Sequence, residues 1–299
     1  MEHSFFDPAV WEQAWREDAD TTIRYMERAG IDPARTFDSK AEVFERQSFS
    51  EEGKRRSSRI LNWLEAQGVD FDGLTVLDIG AASGVFTIPM AERGARVTAV
   101  ESSPPQVELL QRNAAHLRAG QVTVVGEPFE RLDLAARGWH KAFDLVFVSM
   151  CPVIVDWSSV ERVLACARQY SYISLTVGGT EHGLLDEIAP LLAAAPSKPA
   201  RMEMAYLLHL LLLKGYAFES LVTRETKTVT ATREAALAEL MSMAKLSGRP
   251  EDARARQRVQ AYLESQYPAG EVQYEQGGRF GKVLIRLQDE RMQSGEPRS

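Results

Sequence analysis

The stretch from Val76 to Glu101 constrains the fold of this chain more than any other part of it. Val76–Ile79 has the pattern of a short buried strand that carries an acid, Asp78, and the glycine-containing turn Gly80–Gly84 follows it. A helix and a second strand come next, and that strand also ends in an acid, Glu101. This order predicts two parallel strands joined by a helix, with a nucleotide-like ligand at the carboxyl ends of the strands. The glycines would let the ligand approach the backbone, and the Glu101 carboxylate could accept hydrogen bonds from a ribose diol.

The spacing of the glycines indicates which ligand is bound. A dinucleotide site needs G-x-G-x-x-G, whereas this chain has Asp78-x-Gly80-x-Ala82-x-Gly84. That arrangement resembles motif I of the class I methyltransferases that use S-adenosylmethionine (SAM), although Ala82 stands where the family usually has glycine. The resemblance implies SAM as the cofactor, and the alternative is a structural βαβ unit without a ligand. The residues that it would place at SAM in this stretch are Asp78, Gly80, Ala82, Gly84, Glu101 and Ser102.

Two later segments add residues to the implied SAM site. After a third predicted strand, Glu127 lies where the family has an acid for the adenine amino group. Pro128 has no N–H, so the backbone donor to the adenine ring passes to Phe129, whose ring could also face the base. The apolar run 143–148 predicts a central strand, and it ends at the position of family motif IV. There Ser149 could hold the methionine end of SAM and Met150 is a candidate acceptor contact.

The resemblance also implies the fold class. We expect a doubly wound α/β fold with a seven-stranded, mostly parallel sheet whose last strand is antiparallel. Further strands are predicted at 170–177, 218–230 and 282–287, and the Ser103–Gln106 segment reads as a capping box. The expected division of the chain is a helical N-terminal lid (1–70), the SAM-binding core (71–230), a helical insertion (231–270), the last core strand (271–288) and a flexible tail (289–299).

Three aromatic residues, two in the lid and one in the core, are weaker candidates for acceptor contacts. Trp11 and Trp15 stand one helical turn apart in the lid, where they could cover the site, although packing is the favoured interpretation. His182 falls in a glycine-rich stretch, 178–183, which we expect to be a flexible loop facing the site. An ordinary exposed histidine is again the favoured alternative. The acceptor pocket is expected between residues 1–48 and 231–266.

Composition narrows the possible partners. The chain has 35 basic and 42 acidic residues and a net charge of −7, which argues against nucleic acid. Two cysteines predict no disulfide framework, and neither a signal peptide nor a membrane span is recognisable. The five histidines are scattered, so we expect no metal. These features favour a cytoplasmic protein without membrane partners. The resemblance implies a possible homodimer, because members of that family use such insertions for dimer contacts.

These expectations favour in-line transfer of a methyl group from SAM to a small-molecule acceptor. Alignment of the reacting atoms alone can lower the barrier by roughly 7–11 kcal/mol, and no catalytic residue is identifiable. Three alternatives stay open: an intramolecular cyclase or lyase that releases methylthioadenosine, a methyltransferase of RNA or protein, and a SAM-binding regulator without activity. The sequence identifies neither the acceptor nor its atom, nor the oligomeric state.

Overall fold

The computed structural model describes residues 5–28, 41–192, 202–246 and 252–288, and also Gly30, Asp32, Arg35 and Asp38 as single residues. The expected tail, 289–299, lies outside the described residues. All the helices in the described part of the chain are too short or too polar to span a bilayer.

The described strands form one seven-stranded sheet in the order β3-β2-β1-β4-β5-β7-β6. Strands β1 to β5 pair in parallel, and β7 is antiparallel to both of its neighbours. This confirms the predicted sheet. The strands are β1 (Thr75–Ile79), β2 (Arg96–Val100), β3 (Val122–Val125), β4 (Phe143–Ser149), β5 (Ala167–His182), β6 (Ala217–Thr232) and β7 (Glu271–Arg286).

Helices cover both faces of this sheet. The described helices are α1 (Pro8–Glu17), α2 (Thr22–Arg28), α3 (Ala41–Ser48), α4 (Glu51–Ala66), α5 (Thr87–Glu92), α6 (Pro104–Ala114), α7 (Trp157–Leu164), α8 (Gly183–Ile188), α9 (Glu203–Leu213), α10 (Arg233–Leu246) and α11 (Ala253–Gln266). Helices α4, α5 and α6 pack on one face, and α1, α7 and α9 pack on the other. Because side chains alternate along a strand, Phe147 and Tyr172 belong to the first face and Val146 and Ile173 to the second.

The last two strands, β6 and β7, form a longer antiparallel pair than predicted. We call this pair the β6–β7 hairpin, although α10 and α11 connect its strands. Strand β7 begins at Glu271, whereas the apolar pattern predicted a strand only from Lys282. Its first half buries alternate residues, Val272 and Tyr274, against α8, α10 and α11. The exposed residues between them are polar, so this half of the strand resembles a loop in composition. The helical insertion therefore packs on an extension of the sheet.

The predicted flexible loop at 178–183 is wrong. Strand β5 continues through this stretch to His182 and pairs there with β7, with a register shift between Val177 and Glu181. Gly178 has a φ of 78°, a conformation that glycine supplies readily at irregular points of a strand. The glycines therefore accommodate an irregularity inside a strand.

Candidate functional site

The turn between β1 and α5 has little space for side chains. Gly80 and Gly84 have φ angles of 76° and 94°. A Cβ atom on Gly80 would lie 2.5 Å from the Sγ atom of Cys151, and one on Gly84 would lie 2.8 Å from a methyl carbon of Leu110. Ala82 also has a positive φ, 47°, which is uncommon for a residue with a Cβ. The glycines at 80 and 84 are therefore required by both conformation and packing, and Ala82 adopts a backbone conformation that glycine favours.

Glu101 holds this turn from the end of β2. One carboxylate oxygen accepts a hydrogen bond from the Ala82 N–H at 2.8 Å, and the other accepts one from the Ser103 N–H at 2.8 Å. An ionised carboxylate has about four acceptor positions, so about half of them stay available to other donors. Glu101 is half-buried, as is its neighbour Ser102. This geometry is compatible with a ribose diol at Glu101, and the assignment stays a prediction.

Asp78 lies in β1, two residues before Gly80, and is 2% exposed. Its carboxylate accepts a hydrogen bond from the Thr87 hydroxyl at 2.6 Å, which links β1 to the first residue of α5. Burial raises the pKa of Asp78 to about 7, the charge of Glu101 adds to this rise, and the bond from Thr87 opposes it. Asp78 therefore supports the turn from below, and it titrates near neutral pH.

The segment after β4 borders the turn on its other side. Ser149 shares a hydrogen bond of 3.1 Å between its hydroxyl and that of Ser174 on β5. Met150 has a positive φ of 54° and is 41% exposed, so it is accessible to an acceptor. Cys151 packs against Gly80, and burial raises the pKa of its thiol to about 12. The thiol stays protonated at neutral pH, which argues against a role as nucleophile.

The two residues predicted to contact the adenine have other side-chain partners in the structure. The Glu127 side chain is exposed and forms an ion pair of 2.5 Å with Arg137. Phe129 is 3% exposed in a short 3-10 turn, with the guanidinium of Arg162 5.2 Å from its ring centre. The idea that this ring faces the base is wrong, because the ring belongs to the hydrophobic core. Only its backbone N–H stays a candidate donor.

The lid tryptophans attach α1 to α9. Trp15 is fully buried and stacks on Tyr206, with ring centres 5.8 Å apart. Trp11 is half-buried, contacts His209 edge to face at 4.3 Å, and donates its indole N–H to the Phe5 carbonyl at 2.8 Å. The candidate role of Trp15 in acceptor binding is wrong because its ring is enclosed by the core. Trp11 serves the same packing.

His182 is also a packing residue. It is 1% exposed, stacks on Tyr274 and accepts a hydrogen bond from the Leu185 N–H at 3.1 Å. Its other ring nitrogen lies 3.7 Å from the Glu239 carboxylate. Leu185 and Tyr274 belong to the hydrophobic cluster formed by α8, the helical insertion and the far half of the hairpin. The candidate role of His182 in a loop facing the site is therefore wrong, and so is the favoured alternative of an exposed histidine, because the side chain is buried at the end of β5.

Three polar side chains near the turn have surroundings that the sequence did not predict. The Ser103 hydroxyl donates to the Asp38 carboxylate at 2.5 Å, so Ser103 does not form the predicted capping box with Gln106. The Ser83 hydroxyl and the Gln106 side-chain oxygen are buried without a hydrogen-bond partner among the described residues. Ser83 belongs to the turn, and Gln106 lies in the first turn of α6, just after β2. Buried polar atoms without partners are rare, but the described part of the chain holds others away from the turn, such as the Ser171 hydroxyl, so these two atoms do not by themselves indicate a ligand.

Within the described residues, we find no group of three or more His, Cys, Asp or Glu side chains that could hold a metal ion. The absence of a metal from the reaction stays a prediction. A surface groove among Thr75, Arg96 and Gln121 lies at the amino ends of the strands, so it is not part of this site.

Part of the core matches a known protein family. Residues 76–171 match the family model described as "Methyltransferase domain". A ubiquinone biosynthesis O-methyltransferase from Leptothrix cholodnii is 38% identical over 108 residues, which is 36% of this chain and 44% of that protein. The 23S rRNA (uracil(1939)-C(5))-methyltransferase RlmD from Klebsiella pneumoniae is 38% identical over 89 residues, 29% of this chain and 19% of that protein. This chain thus spans less than half the length of these curated relatives.

Among solved structures, magnesium protoporphyrin IX methyltransferase from Synechocystis PCC 6803 with bound S-adenosylhomocysteine aligns with 85% of this chain and 97% of its own. The sequence identity is 15% and the TM-score is 0.48. The family assignment depends on the sequence match, and the observed sheet order agrees with it. Residues 76–171 are therefore a methyltransferase domain of the class I, Rossmann-like fold, a family whose co-substrate is SAM.

Proposed function

We propose that this chain is an enzyme that transfers the methyl group of SAM to a small-molecule acceptor. The observation that carries this proposal is the methyltransferase domain whose turn, Gly80–Gly84, is tied to Glu101 at the carboxyl edge of the sheet. The residues proposed to hold SAM in this turn and at its borders are Asp78, Gly80, Ala82, Gly84, Glu101, Ser102 and Ser149. For the adenine we propose Glu127 and the backbone N–H of Phe129.

The contribution of the protein would be mainly positional. Bound SAM would supply a methyl carbon that is made electrophilic by the attached sulfonium. The chain would hold this carbon and the acceptor in line, which can supply roughly 7–11 kcal/mol of barrier lowering. Asp78 and Thr87 would keep the turn rigid from below. The protonated thiol of Cys151 gives no reason to propose a covalent enzyme intermediate.

A small molecule is favoured over RNA as the acceptor because of charge. The curated relatives include both an O-methyltransferase of ubiquinone biosynthesis and a 23S rRNA methyltransferase. The net charge of −7 would repel an RNA backbone. We also propose the reducing cytoplasm as the setting, since the two cysteines lie unpaired. A homodimer stays a proposal that sedimentation would test.

The test is mass spectrometry of the purified protein with SAM, with and without a metabolite extract and a total RNA fraction. S-adenosylhomocysteine produced only with the metabolite extract supports the proposal. Production with RNA alone would overturn the small-molecule assignment. Methylthioadenosine formed from SAM would indicate cyclase or lyase chemistry, and tight binding without any product would indicate a regulator.

A further inference from the structure

Three cations surround one carboxylate where helix α4 meets the β6–β7 hairpin. The Glu225 carboxylate lies 3.6 Å from Arg56, 3.8 Å from Arg59 and 3.8 Å from Lys282. We call Arg56, Arg59 and Lys282 the cation cluster. Among the described residues, Glu225 is the acidic side chain within ion-pair distance of all three, so the cluster keeps an excess of two positive charges. This excess lies in a chain whose net charge is −7.

Lys282 is the most enclosed member of the cluster, with a side chain that is 7% exposed. Its ammonium donates a hydrogen bond to the Thr223 hydroxyl at 2.6 Å. Burial lowers the pKa of Lys282, and the positive charges of Arg56 and Arg59 lower it further, whereas Glu225 opposes this. A buried cation is costly unless it is well paired. An additional anion at this position would therefore be stabilised.

The strand register places Lys282 in line with the proposed SAM site. Ile79, the last residue of β1, pairs with Val148 on β4. The next residue of β4, Ser149, pairs with Ser174 on β5. Ser174 in turn pairs with Lys282 on β7. Since adjacent strands are about 4.8 Å apart, the Lys282 backbone is about 10 Å along the sheet from that of Ser149.

Paired residues of neighbouring strands also project from the same face of a sheet. The side chains of Ser149, Ser174 and Lys282 therefore form one row on the face that carries α4. The row is polar, and the hydroxyls of Ser149 and Ser174 already contact each other at 3.1 Å. Ser174 is 2% exposed and Lys282 is 5% exposed, so a small molecule that joins the methyl donor to the cation cluster would lie beside this row, at the exposed guanidinium groups of Arg56 and Arg59.

We propose that the cation cluster binds an anionic group, a carboxylate or a phosphate, of the methyl acceptor. This inference rests on the proposed function and names its substrate class: a small anionic molecule whose negative group is separated from the methylated atom. Arg56 and Arg59, on one face of α4, can contact the anion with planar guanidinium groups. Lys282 supplies a point charge from below. The competing explanation is that the three cations only attach α4 to the hairpin through Glu225.

The test uses the full chain saturated with S-adenosylhomocysteine, at constant ionic strength. Benzoate and inorganic phosphate are titrated separately by calorimetry, so that the two arms distinguish a carboxylate site from a phosphate site. Lys282→Met and Arg56→Gln are the test variants. Lys227→Met, which removes an exposed lysine from the same hairpin, is the matched control.

We expect one of the two anions to bind the unmodified chain and the Lys227→Met control equally. Loss of a charge-assisted contact should weaken that binding about tenfold or more in each test variant, with affinity for S-adenosylhomocysteine changed less than about twofold. Binding of neither anion, or equal binding by all folded variants, would overturn the inference. If Lys282→Met does not fold, Arg56→Gln decides, because the Arg56 side chain is 49% exposed. Failure of the unmodified chain to bind S-adenosylhomocysteine would instead contradict the proposed function.

Discussion

The substitution Asp78→Asn should change how the stability of the protein depends on pH. Burial raises the pKa of Asp78 from 3.8 to about 7, so the folded state retains a proton that the unfolded chain releases near pH 4. Stability therefore falls as pH rises from about 4 to about 7 and is constant above that range. With these two pKa values, the loss between pH 5 and pH 8 is roughly 2–3 kcal/mol, and the whole loss is about 4 kcal/mol. The asparagine side chain of the variant cannot titrate, and it can still accept the hydrogen bond from Thr87.

Urea unfolding at pH 5 and pH 8 measures this effect as a difference between the two proteins. Asp78→Asn should gain roughly 2–3 kcal/mol relative to the unmodified chain on going from pH 5 to pH 8. The difference between the two proteins cancels the contributions of all titrating groups that the substitution does not affect. Equal pH dependence of the two proteins would refute the reasoning, because it would mean that Asp78 is ionised in the folded state over the whole range.

Asp144 provides a control of opposite sign. Its carboxylate accepts hydrogen bonds from Thr75 and Gln169 and pairs with Arg168 at 2.9 Å. Although partial burial raises its pKa, these partners lower it overall. Asp144→Asn should therefore destabilise the protein at neutral pH, and the difference should vanish as pH falls below about 4. Together the two variants separate a buried acid without a cationic partner in the described part of the chain from an acid that pairs with Arg168.

The remaining predictions concern binding, packing and metal. Glu101→Ala should weaken SAM binding by about 10–150-fold, since charge-assisted hydrogen bonds contribute about 1.5–3 kcal/mol; unchanged affinity by calorimetry, in a folded variant, would remove Glu101 from the site. Trp15→Ala should cost about 3–5 kcal/mol of stability in urea unfolding, whereas Trp11→Ala, at a half-buried position, should cost less; similar small losses would mean that α1 is not part of the core. Product formation should persist in EDTA, and loss that one specific metal restores would show that the chain uses a metal.

The core of the fold was predictable because its signals are local. Asp78, the glycines of the turn and Glu101 lie within one βαβ unit, so their spacing reports their geometry directly. The pattern of apolar residues likewise identified β4, whose residues 145–148 are buried on both faces. The sequence did not show that Glu101 uses both oxygens to hold the backbone of Ala82 and Ser103. Such contacts depend on how two strand ends meet.

The predictions were wrong where the local composition of the sequence is typical of one structure and the folded chain adopts another. The stretch 178–183 has loop-like glycines, yet pairing with β7 extends β5 through it. His182 then becomes buried against Tyr274, because the helical insertion covers this end of the hairpin. Trp15 has the spacing of either a lid or a core residue, and only its stacking on Tyr206 of α9 distinguishes them. In each case, contacts between residues distant in sequence determined the outcome.

The two halves of the proposed site differ in how they are encoded. The SAM half comes from consecutive segments, whereas the cation cluster combines Arg56 and Arg59 from α4 with Lys282 from β7, around Glu225 from β6. Because β7 lies between β5 and β6, Lys282 becomes a neighbour of Ser174 only once the sheet is complete. Changes in α4 or the hairpin could therefore alter the acceptor without disturbing the turn that would hold SAM. This separation explains why the sequence indicates the methyl donor clearly and the acceptor hardly at all.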